Sequence, residues 1–410
     1  MMIYKSIVIL LVLGILVNDC DSTLSKSDKK SPKAVKQKVG PVSSTVQDRH
    51  LVVEQPTAKD IVAHHQAYYK ETNRNWFSGA VLGYVTPWNN HGYNIAKQFG
   101  GKFSMISPVW LQLKRTGKHQ YEITGLHDLD AGWVEDVRKA GSSRQVKMVP
   151  RVLFDGWNSK DYTALLSDSM EQMKLAQKLI EVSTSNKFDG YVLEVWSQLA
   201  GKVNRQLALL ISYICRVLHN ANQVCILVIP PAKGLDKEVF DQEDFEALEK
   251  DVDAFSLMTY DFSSLQRPGP NAPLAWVHGC VEKLVPTPDK DDELSDAEFN
   301  SFVRKRGKIL LGLNLYGYDF TPDGGGAMLG KRFAEMLAEV LSTSNRPPKI
   351  SYDSEAEEHF VEIRTKRGKH LIFYPTLWSL QKRIELAQEL GTGLSLWELG
   401  QGMDYFYDLI

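Results

Sequence analysis

The sequence predicts an α/β fold, a (β/α)8 TIM barrel with a small α+β insertion between its seventh and eighth strands. Short runs of β-branched and aromatic residues alternate with longer helix-period stretches, which is typical of βαβ units and a parallel sheet. Eight such units fit between Ala80 and Ile410, the number that closes a barrel. A doubly wound open sheet would need a glycine-rich phosphate turn after its first strand, and residues 83–88 do not form one.

Each predicted strand is a short run, mainly apolar, and helical patterns lie between the strands. The predicted strands are residues 80–85, 103–109, 147–153, 188–195, 224–229, 253–258, 309–313 and 393–397. Among the helix-period stretches between them are residues 168–182, 203–219 and 241–250.

The stretch 317–390 is enlarged compared with the other connections. Residues 350–353, 360–364 and 370–374 are predicted to be short antiparallel strands, with a turn at Arg367 and Gly368. A helix over 376–390, stopped by Gly391, closes the stretch. These patterns predict the α+β insertion.

The first 79 residues differ from the barrel. Residues 1–22 are predicted to be a signal peptide, because Lys5 precedes an apolar run too short to span a bilayer; a signal anchor is the alternative. Residues 23–50 are predicted to be a basic disordered linker. Residues 51–79 are predicted to be a lead-in segment, with a helix over 51–70. We therefore expect a secreted protein, with no membrane insertion after signal removal.

Composition and charge narrow the classes of function. Of the 410 residues, 43% are apolar and 24% are charged, an ordinary profile for a globular protein. Residues 1–50 carry eight Lys and Arg against four Asp and Glu, so the remaining chain has a net charge of −6 where the whole has −2. A mildly acidic body argues against nucleic acid as the main partner.

The four cysteines, at positions 20, 215, 225 and 280, fit neither a metal site nor a complete disulfide framework. Cys215 on a predicted helix and Cys225 on the next strand could meet. A large domain does not need such a bridge, however, and we predict buried free thiols. No metal and no cofactor are expected.

The predicted strand at residues 188–196 carries an unusual set of side chains. Alternation along a strand directs Val192, Glu194 and Trp196 to one face and apolar side chains to the other. A carboxylate and an indole are therefore expected on the inner face, with Trp196 nearest the carboxyl end of the strand.

This strand resembles the signature of glycoside hydrolase family 18, the chitinases and chitinase-like lectins. That signature, Asp-Gly-x-Asp-x-Asp-x-Glu, lies on the fourth barrel strand, and its last residue protonates the glycosidic oxygen. Asp189 and Gly190 match it. The resemblance implies that Val192 replaces the second Asp, Glu194 the third, and Trp196 the proton donor. An indole cannot donate that proton, so the resemblance implies a protein that is not a glycosidase.

Other segments resemble motifs of the family in the same order along the chain. Residues 83–84, 258–262, 311–317 and 394–398 resemble motifs of the first, sixth, seventh and eighth strands. The Trp of the eighth-strand motif forms the floor of the sugar site in the family. Residues 150–157 occupy the place of a third-strand Ser-x-Gly-Gly motif and do not reproduce it.

Four segments resemble, more narrowly, a chitinase-like branch of the family that is secreted or lysosomal and lacks chitinase activity. They are residues 188–196, 229–231, 266–273 and 397–409. Family members often carry an α+β insertion where residues 317–390 lie, and it walls one side of the groove.

The resemblance implies a carbohydrate-binding groove at the carboxyl ends of the barrel strands. Aromatic rings pack on the C–H faces of sugars, and carboxylates and phenols supply directional hydrogen bonds. The predicted carbohydrate-binding residues are Trp196, Glu194, Tyr260, Asp261, Tyr316, Trp397 and Glu398. The expected partners are oligosaccharides, among them those that contain N-acetylglucosamine, together with a sorting or scavenger receptor.

Two alternatives stay open. A weak glycosidase could use Glu194, because loss of water inside a barrel favours the protonated carboxyl group that a general acid needs. Against this, Val192 cannot orient an acetamido group and Trp196 fills the space above. The other alternative is a vestigial groove on a barrel that binds proteins, for which residues 23–50 and 289–293 are candidate contacts.

Overall fold

The computed structural model of the protein describes residues 34–199, 201–234, 238–289, 294–344, 346–365 and 368–410. The predicted signal peptide and the first part of the predicted linker lie outside the described residues, as do Arg367 and most of the acidic stretch 289–293.

Strands and helices alternate through most of the chain. The strands are β1 (Val39–Val42), β2 (Gln66–Tyr69), β3 (Val81–Val85), β4 (Met105–Pro108), β5 (Leu111–Gly117), β6 (Gln120–Thr124), β7 (Lys147–Met148), β8 (Arg151–Phe154), β9 (Gly190–Glu194), β10 (Val224–Ile229), β11 (Ala254–Leu257), β12 (Ile309–Asn314), β13 (Gly317–Thr321), β14 (Gly324–Met328), β15 (Ile350–Asp353), β16 (Glu358–Thr365), β17 (Gly368–Phe373) and β18 (Gly393–Trp397). The helices are α1 (Ala58–His64), α2 (Asn90–Gln98), α3 (Ala131–Ala140), α4 (Ser159–Ser167), α5 (Ser169–Asn186), α6 (Asn204–Asn220), α7 (Gln242–Leu248), α8 (Leu274–Glu282), α9 (Asp296–Gly307), α10 (Gly330–Thr343) and α11 (Leu377–Leu390).

The parallel strands pair in a circuit. β4 and β5 are separated only by Val109 and Trp110, and β7 and β8 only by Val149 and Pro150, so each pair acts as one interrupted strand. The pairing then runs from β3 through β4–β5, β7–β8, β9, β10, β11, β12 and β18 back to β3. This circuit is consistent with the predicted (β/α)8 barrel.

Local sequence explains how the fourth barrel strand is set. Helix α5 begins after Asp168, whose side chain accepts a hydrogen bond from the backbone N–H of Met170. The helix ends at Asn186, and the next residue, Lys187, has a left-handed φ of 54° and turns the chain toward β9. Gly190 has a φ of 143°, and a Cβ atom there would lie 2.0 Å from the carbonyl oxygen of Val224, so only glycine fits.

The strand predictions are accurate in the barrel except near its second strand. β10 and β18 have the predicted bounds, and the other barrel strands differ from prediction mainly at their ends. The antiparallel hairpin of β5 and β6 was not predicted. Residues 111–124 were assigned to no element, although Leu111, Leu113, Tyr121 and Ile123 alternate toward the buried side as strand residues do.

The amino-terminal prediction is wrong in two respects. Strand β1 lies inside the predicted disordered linker and pairs in parallel with β2, and Val46 is fully buried. The predicted helix over 51–70 is limited to α1 and is followed by β2. Arg49 pairs at 3.1 Å with the buried carboxylate of Asp408, an ion pair that joins this segment to the far end of the chain.

Five antiparallel strands lie between β12 and β18, in the order β14, β13, β17, β16, β15. Helix α11 follows them and ends at Gly391, which has a left-handed φ of 68°. The sheet is joined to its surroundings by buried polar contacts, including that between Arg383 of α11 and Glu358 of β16 at 3.1 Å.

The cysteine prediction is also wrong. Cys215 of α6 and Cys225 of β10 form a disulfide, which ties a helix to the neighbouring barrel strand. Spacing allowed this contact, and the prediction failed because it relied on what a large domain needs. Cys280 is a buried free thiol. In the part of the chain that the structure describes, no helix has the length and apolarity to cross a membrane.

Candidate functional site

The inside of the barrel is filled with apolar side chains from its strands. They are Leu82, Tyr84, Val109, Val149, Val192, Ile226, Val228, Ala254 and Leu310. Met258 and Trp397 pack against this cluster from the carboxyl ends of β11 and β18 and are themselves only partly buried. Val192, at a position where the family signature has an acid, is therefore a core residue. The packed cluster closes the inside of the barrel below Trp397.

Two aromatic rings, Trp397 and Tyr260, form the floor above this cluster, and Trp397 packs on Tyr84 of the cluster. The ring centroid of Trp397 lies 5.0 Å from that of Tyr84 and 6.5 Å from that of Tyr260, and the Tyr260 ring is nearly parallel to the indole. Neither the indole N–H of Trp397 nor the hydroxyl of Tyr260 has a hydrogen-bond partner among the described residues. Burial raises the pKa of Tyr260 well above its usual value, so its hydroxyl stays a donor.

Asp261 extends this floor toward the insertion. Its backbone has a φ of 60°, and its N–H donates to the side-chain oxygen of Asn271 at 2.7 Å. Oδ1 of Asp261 accepts hydrogen bonds from the hydroxyls of Tyr316 at 2.5 Å and Tyr318 at 3.1 Å. Burial and the Asp261 charge raise the pKa of both tyrosines, that of Tyr318 to about 12, so both hydroxyls remain donors at neutral pH. The exposed carboxylate is thus fixed in place with Oδ2 left to accept from a ligand.

Glu194 lies at the carboxyl end of β9 and does not match the predicted environment. Its Oε2 accepts from Nε of Arg151 at 2.5 Å, and 27% of its side chain is exposed. The sequence predicts a carboxyl group shielded from water, whereas Glu194 is partly exposed and its hydrogen-bond partner is the guanidinium of Arg151. A charge-assisted bond from arginine uses the carboxylate as an acceptor, while a general acid must carry a proton to donate.

Trp196 is not part of the groove, which corrects the prediction. β9 ends at Glu194, and Trp196 begins a short 3-10 helix, so the alternation of strand side chains stops before it. The indole is fully buried, donates to the carbonyl oxygen of Val239 at 2.8 Å and packs edge-on against Phe240. With no face exposed, this ring cannot stack on a sugar, and it fills a space between loops.

Glu398 and Tyr316 are also placed differently from the prediction. Glu398 is fully buried and accepts hydrogen bonds from Asn89 and from the N–H of Gly400, both at 2.9 Å. Burial raises its pKa, yet the carboxyl group faces the loop after β3 and has no access to the groove. Tyr316 is buried too, and it supports Asp261 through its hydroxyl.

Asp189 has a structural role. It precedes β9, at the end of the strand away from the groove, and accepts from Arg138 and from the N–H of Met148, each at 2.7 Å. In the strand that resembles the family signature, Asp189 and Gly190 therefore hold the backbone. Val192 and Trp196, the positions at which the resemblance implies replaced acids, hold buried apolar side chains.

Sequence reasoning missed three residues of the site, Arg151, Tyr318 and Tyr84. Arg151 was recognised only as part of a segment that fails to match a family motif, although it lies on the strand beside Glu194. Tyr318 follows Tyr316 by two residues, which is the strand repeat and could have indicated a shared face.

Across the described residues, no group of three or more His, Cys, Asp or Glu side chains could hold a metal ion.

Known proteins share the barrel described above. The sequence profile of the glycosyl hydrolases family 18 matches residues 80–402, which include every barrel strand. The chain belongs to this family. Family membership explains the barrel and the order of its motifs along the chain.

Two curated relatives from Bacillus subtilis (strain 168) are similar over part of the chain. An uncharacterized glycosylase, YvbX, is 24% identical over 205 residues, which are 49% of this chain and 54% of that protein. A cortical fragment-lytic enzyme is 28% identical over 165 residues, 39% of this chain and 34% of that protein. The chain thus matches about half of the first relative and about a third of the second.

Solved structures share the fold over most of the chain. A chitinase from Chromobacterium violaceum ATCC 12472 has a TM-score of 0.64 and 19% identity, over 81% of this chain and 98% of that one. The Bacillus cereus spore cortex-lytic enzyme SleL has a TM-score of 0.64 and 16% identity, over 82% and 74%. A family 18 chitinase from Cycas revoluta, in complex with (GlcNAc)4, has a TM-score of 0.60 and 14% identity, over 80% and 98%.

Proposed function

We propose that the protein is a chitinase-like lectin, which binds oligosaccharides in the groove above Trp397 and does not hydrolyse them. The observation that carries this proposal is the contrast between two parts of one barrel mouth. Trp397, Tyr260 and Asp261 offer a ring face, an unpartnered hydroxyl and a fixed carboxylate. The proton-donor position holds Trp196, which is buried in loop packing.

Binding follows from the chemistry of these three residues. The partly exposed indole of Trp397 can support the C–H face of a sugar ring, and Tyr260 can donate to a hydroxyl or carbonyl oxygen. Asp261 can accept from a sugar hydroxyl or an acetamido N–H. The Cycas revoluta chitinase with this fold is solved with (GlcNAc)4, which supports N-acetylglucosamine oligomers as the first ligands to test.

We propose that the protein does not hydrolyse its ligands because of how the carboxyl groups near the floor are placed. Glu194 is bonded to Arg151, Glu398 is buried away from the groove, and Asp261 is held by two tyrosine hydroxyls. None of them combines a free proton with access to a glycosidic oxygen. A weak glycosidase that uses Glu194 would have to break the Arg151 pair first.

We extend the proposal to the location of the protein and to the branch of the family that it resembles. Four segments, identified above, resemble chitinase domain-containing protein 1, also called stabilin-1-interacting chitinase-like protein. That resemblance implies a secreted or lysosomal protein without chitinase activity and with a sorting or scavenger receptor as partner. The Cys215–Cys225 disulfide supports a secretory route, because disulfides persist in oxidising compartments.

Calorimetric titration with chitohexaose tests the groove. Trp397→Ala should weaken binding by about 2–3 kcal/mol through loss of the stacking face, and Asp261→Ala by about 1–2 kcal/mol, because water can replace one hydrogen-bond partner. Trp76→Ala is the matched control, since that partly exposed ring precedes β3 at the opposite end of the barrel. Unchanged affinity in folded Trp397→Ala and Asp261→Ala proteins would place the ligand elsewhere and favour a vestigial groove.

A further inference from the structure

A second pocket opens beside Asp261 at the same end of the barrel. Its volume is about 490 Å³, within the range of small-ligand sites. The loops after β10 and β11 and one face of α8 form its walls. We call it the lateral pocket, and the side chains that define it are Lys233, Asp261, Phe262, Arg267, Trp276 and Lys283.

The walls of the lateral pocket are fixed by local contacts. Arg267 donates from Nη2 to the carbonyl oxygen of Phe262 at 2.8 Å, and its guanidinium lies over the Phe262 ring, 5.1 Å from the centroid. Trp276 donates its indole N–H to the carbonyl oxygen of Ala232 at 2.8 Å and packs against Phe262. A ligand would therefore meet an ordered arginine and an ordered aromatic wall.

The charge of the lateral pocket is opposite to that of the body of the protein. Among the described residues that line it, three side chains are cationic and Asp261 supplies the one carboxylate. Lys283 is paired with Glu238 at 2.7 Å, and the same carboxylate accepts from the backbone N–H of Lys233. The side-chain cations of Lys233 and Arg267 form no ion pair within the described ranges. Residues 51–410 together carry a net charge of −6, so two unpaired cations in one pocket are a local departure from that charge.

Asp261 connects the lateral pocket to the groove. It lines the pocket and also accepts from Tyr316, whose ring lies 6.3 Å from that of Tyr260. Tyr260 in turn stacks on Trp397. Asp261 thus lines the pocket, while the buried hydroxyl of Tyr316 that holds its carboxylate lies beside Tyr260 of the floor.

We propose that the lateral pocket binds the anionic substituent, a carboxylate or a sulfate ester, of an oligosaccharide whose other rings lie over Trp397. The inference rests on the proposed function and names its ligand class as acidic glycans. Arg267 presents a planar fork of donors that suits either anion, and Lys233 adds a second charge. The Asp261 carboxylate opposes an anion, but its Oδ1 is turned to the two tyrosine hydroxyls, and the two cations outnumber it.

The test compares ligands that share one backbone. Chitohexaose, 6-O-sulfated chitohexaose and 6-carboxylated chitohexaose are titrated into the full protein at low and at high salt. We expect both acidic ligands to bind about tenfold or more tightly than chitohexaose at low salt, and this advantage should shrink as salt screens the cations. The sulfated and carboxylated arms show which anion the pocket prefers.

The Lys233→Gln/Arg267→Gln double variant should lose the advantage of the acidic ligands and keep the affinity for chitohexaose within about twofold. Lys250→Gln, an exposed lysine before β11 at the opposite barrel end, is the control and should change neither affinity. Equal binding of the three ligands, or an advantage that survives in the double variant, would overturn the inference and leave the groove proposal intact. Failure of all three ligands to bind would instead overturn the proposed function.

Discussion

The burial of Trp196 gives a sharp test, because this ring should matter for stability and not for sugar binding. The indole is 0% exposed, packs on Phe240 at a centroid distance of 4.9 Å and donates to the carbonyl oxygen of Val239. Trp196→Ala removes all of these contacts. Trp196→Phe keeps most of the apolar contact and removes only the indole N–H.

The two variants should differ in magnitude. Replacing a buried Trp by Ala lowers the free energy of unfolding by about 3–5 kcal/mol through lost burial and the remaining cavity. Trp196→Phe should cost about 1 kcal/mol, because the Val239 carbonyl oxygen also accepts from Asn204 at 3.2 Å and is not left unpaired. Guanidinium chloride unfolding followed by fluorescence measures both values.

Affinity for chitohexaose supplies the second measurement. Folded Trp196→Ala protein should bind within about twofold of the wild type, since no ring face of Trp196 is exposed. Trp397→Ala should lose affinity instead. If Trp196→Ala left stability unchanged and weakened binding, the ring would have to face the groove, and our account of position 196 would be refuted.

Two further predictions concern stability. Burial alone would raise the pKa of Glu171, but hydrogen bonds from Arg115 and Tyr121 outweigh it and lower the pKa from 4.5 to about 2. The bound carboxylate therefore contributes stability that is present above pH 4.5 and lost toward pH 2. Glu171→Gln should remove about 3 kcal/mol of this pH dependence of the free energy of unfolding. Urea unfolding across this pH range measures the effect. Reduction of the Cys215–Cys225 disulfide should lower the free energy of unfolding by about 2–3 kcal/mol. Cys280→Ser protein should respond to reductant as the wild type does, and an unchanged midpoint on reduction would contradict the assignment of the bridge.

The barrel could be predicted from sequence because its strands are buried runs between long helical patterns. β10 and β18 have the predicted bounds for that reason. The short β1 and β2 could not be predicted in the same way. β1 is a four-residue strand with no fully buried side chain, and its pairing with β2 joins residues more than twenty positions apart. Such long-range pairing leaves no periodic pattern in a lysine-rich segment.

Resemblance to the family located Trp397, Tyr260 and Asp261 at one end of the barrel, and the structure brings these three residues together. The positions of Trp196 and Glu398 could not be predicted from strand alternation, because β9 and β18 end at Glu194 and Trp397, before these side chains. Beyond a strand end, side-chain direction depends on the turn that follows. The Arg151–Glu194 pair required the register of two neighbouring strands, which the sequence does not state.

The most direct test of the central claim measures binding and turnover in one sample. Chitohexaose is titrated into the protein by calorimetry, and the mixture is then incubated and examined for shorter oligosaccharides by mass spectrometry. Our account predicts saturable binding and only intact chitohexaose, at the level of a heat-denatured control. Shorter products that disappear in Glu194→Gln protein would contradict it and identify the protein as a glycosidase.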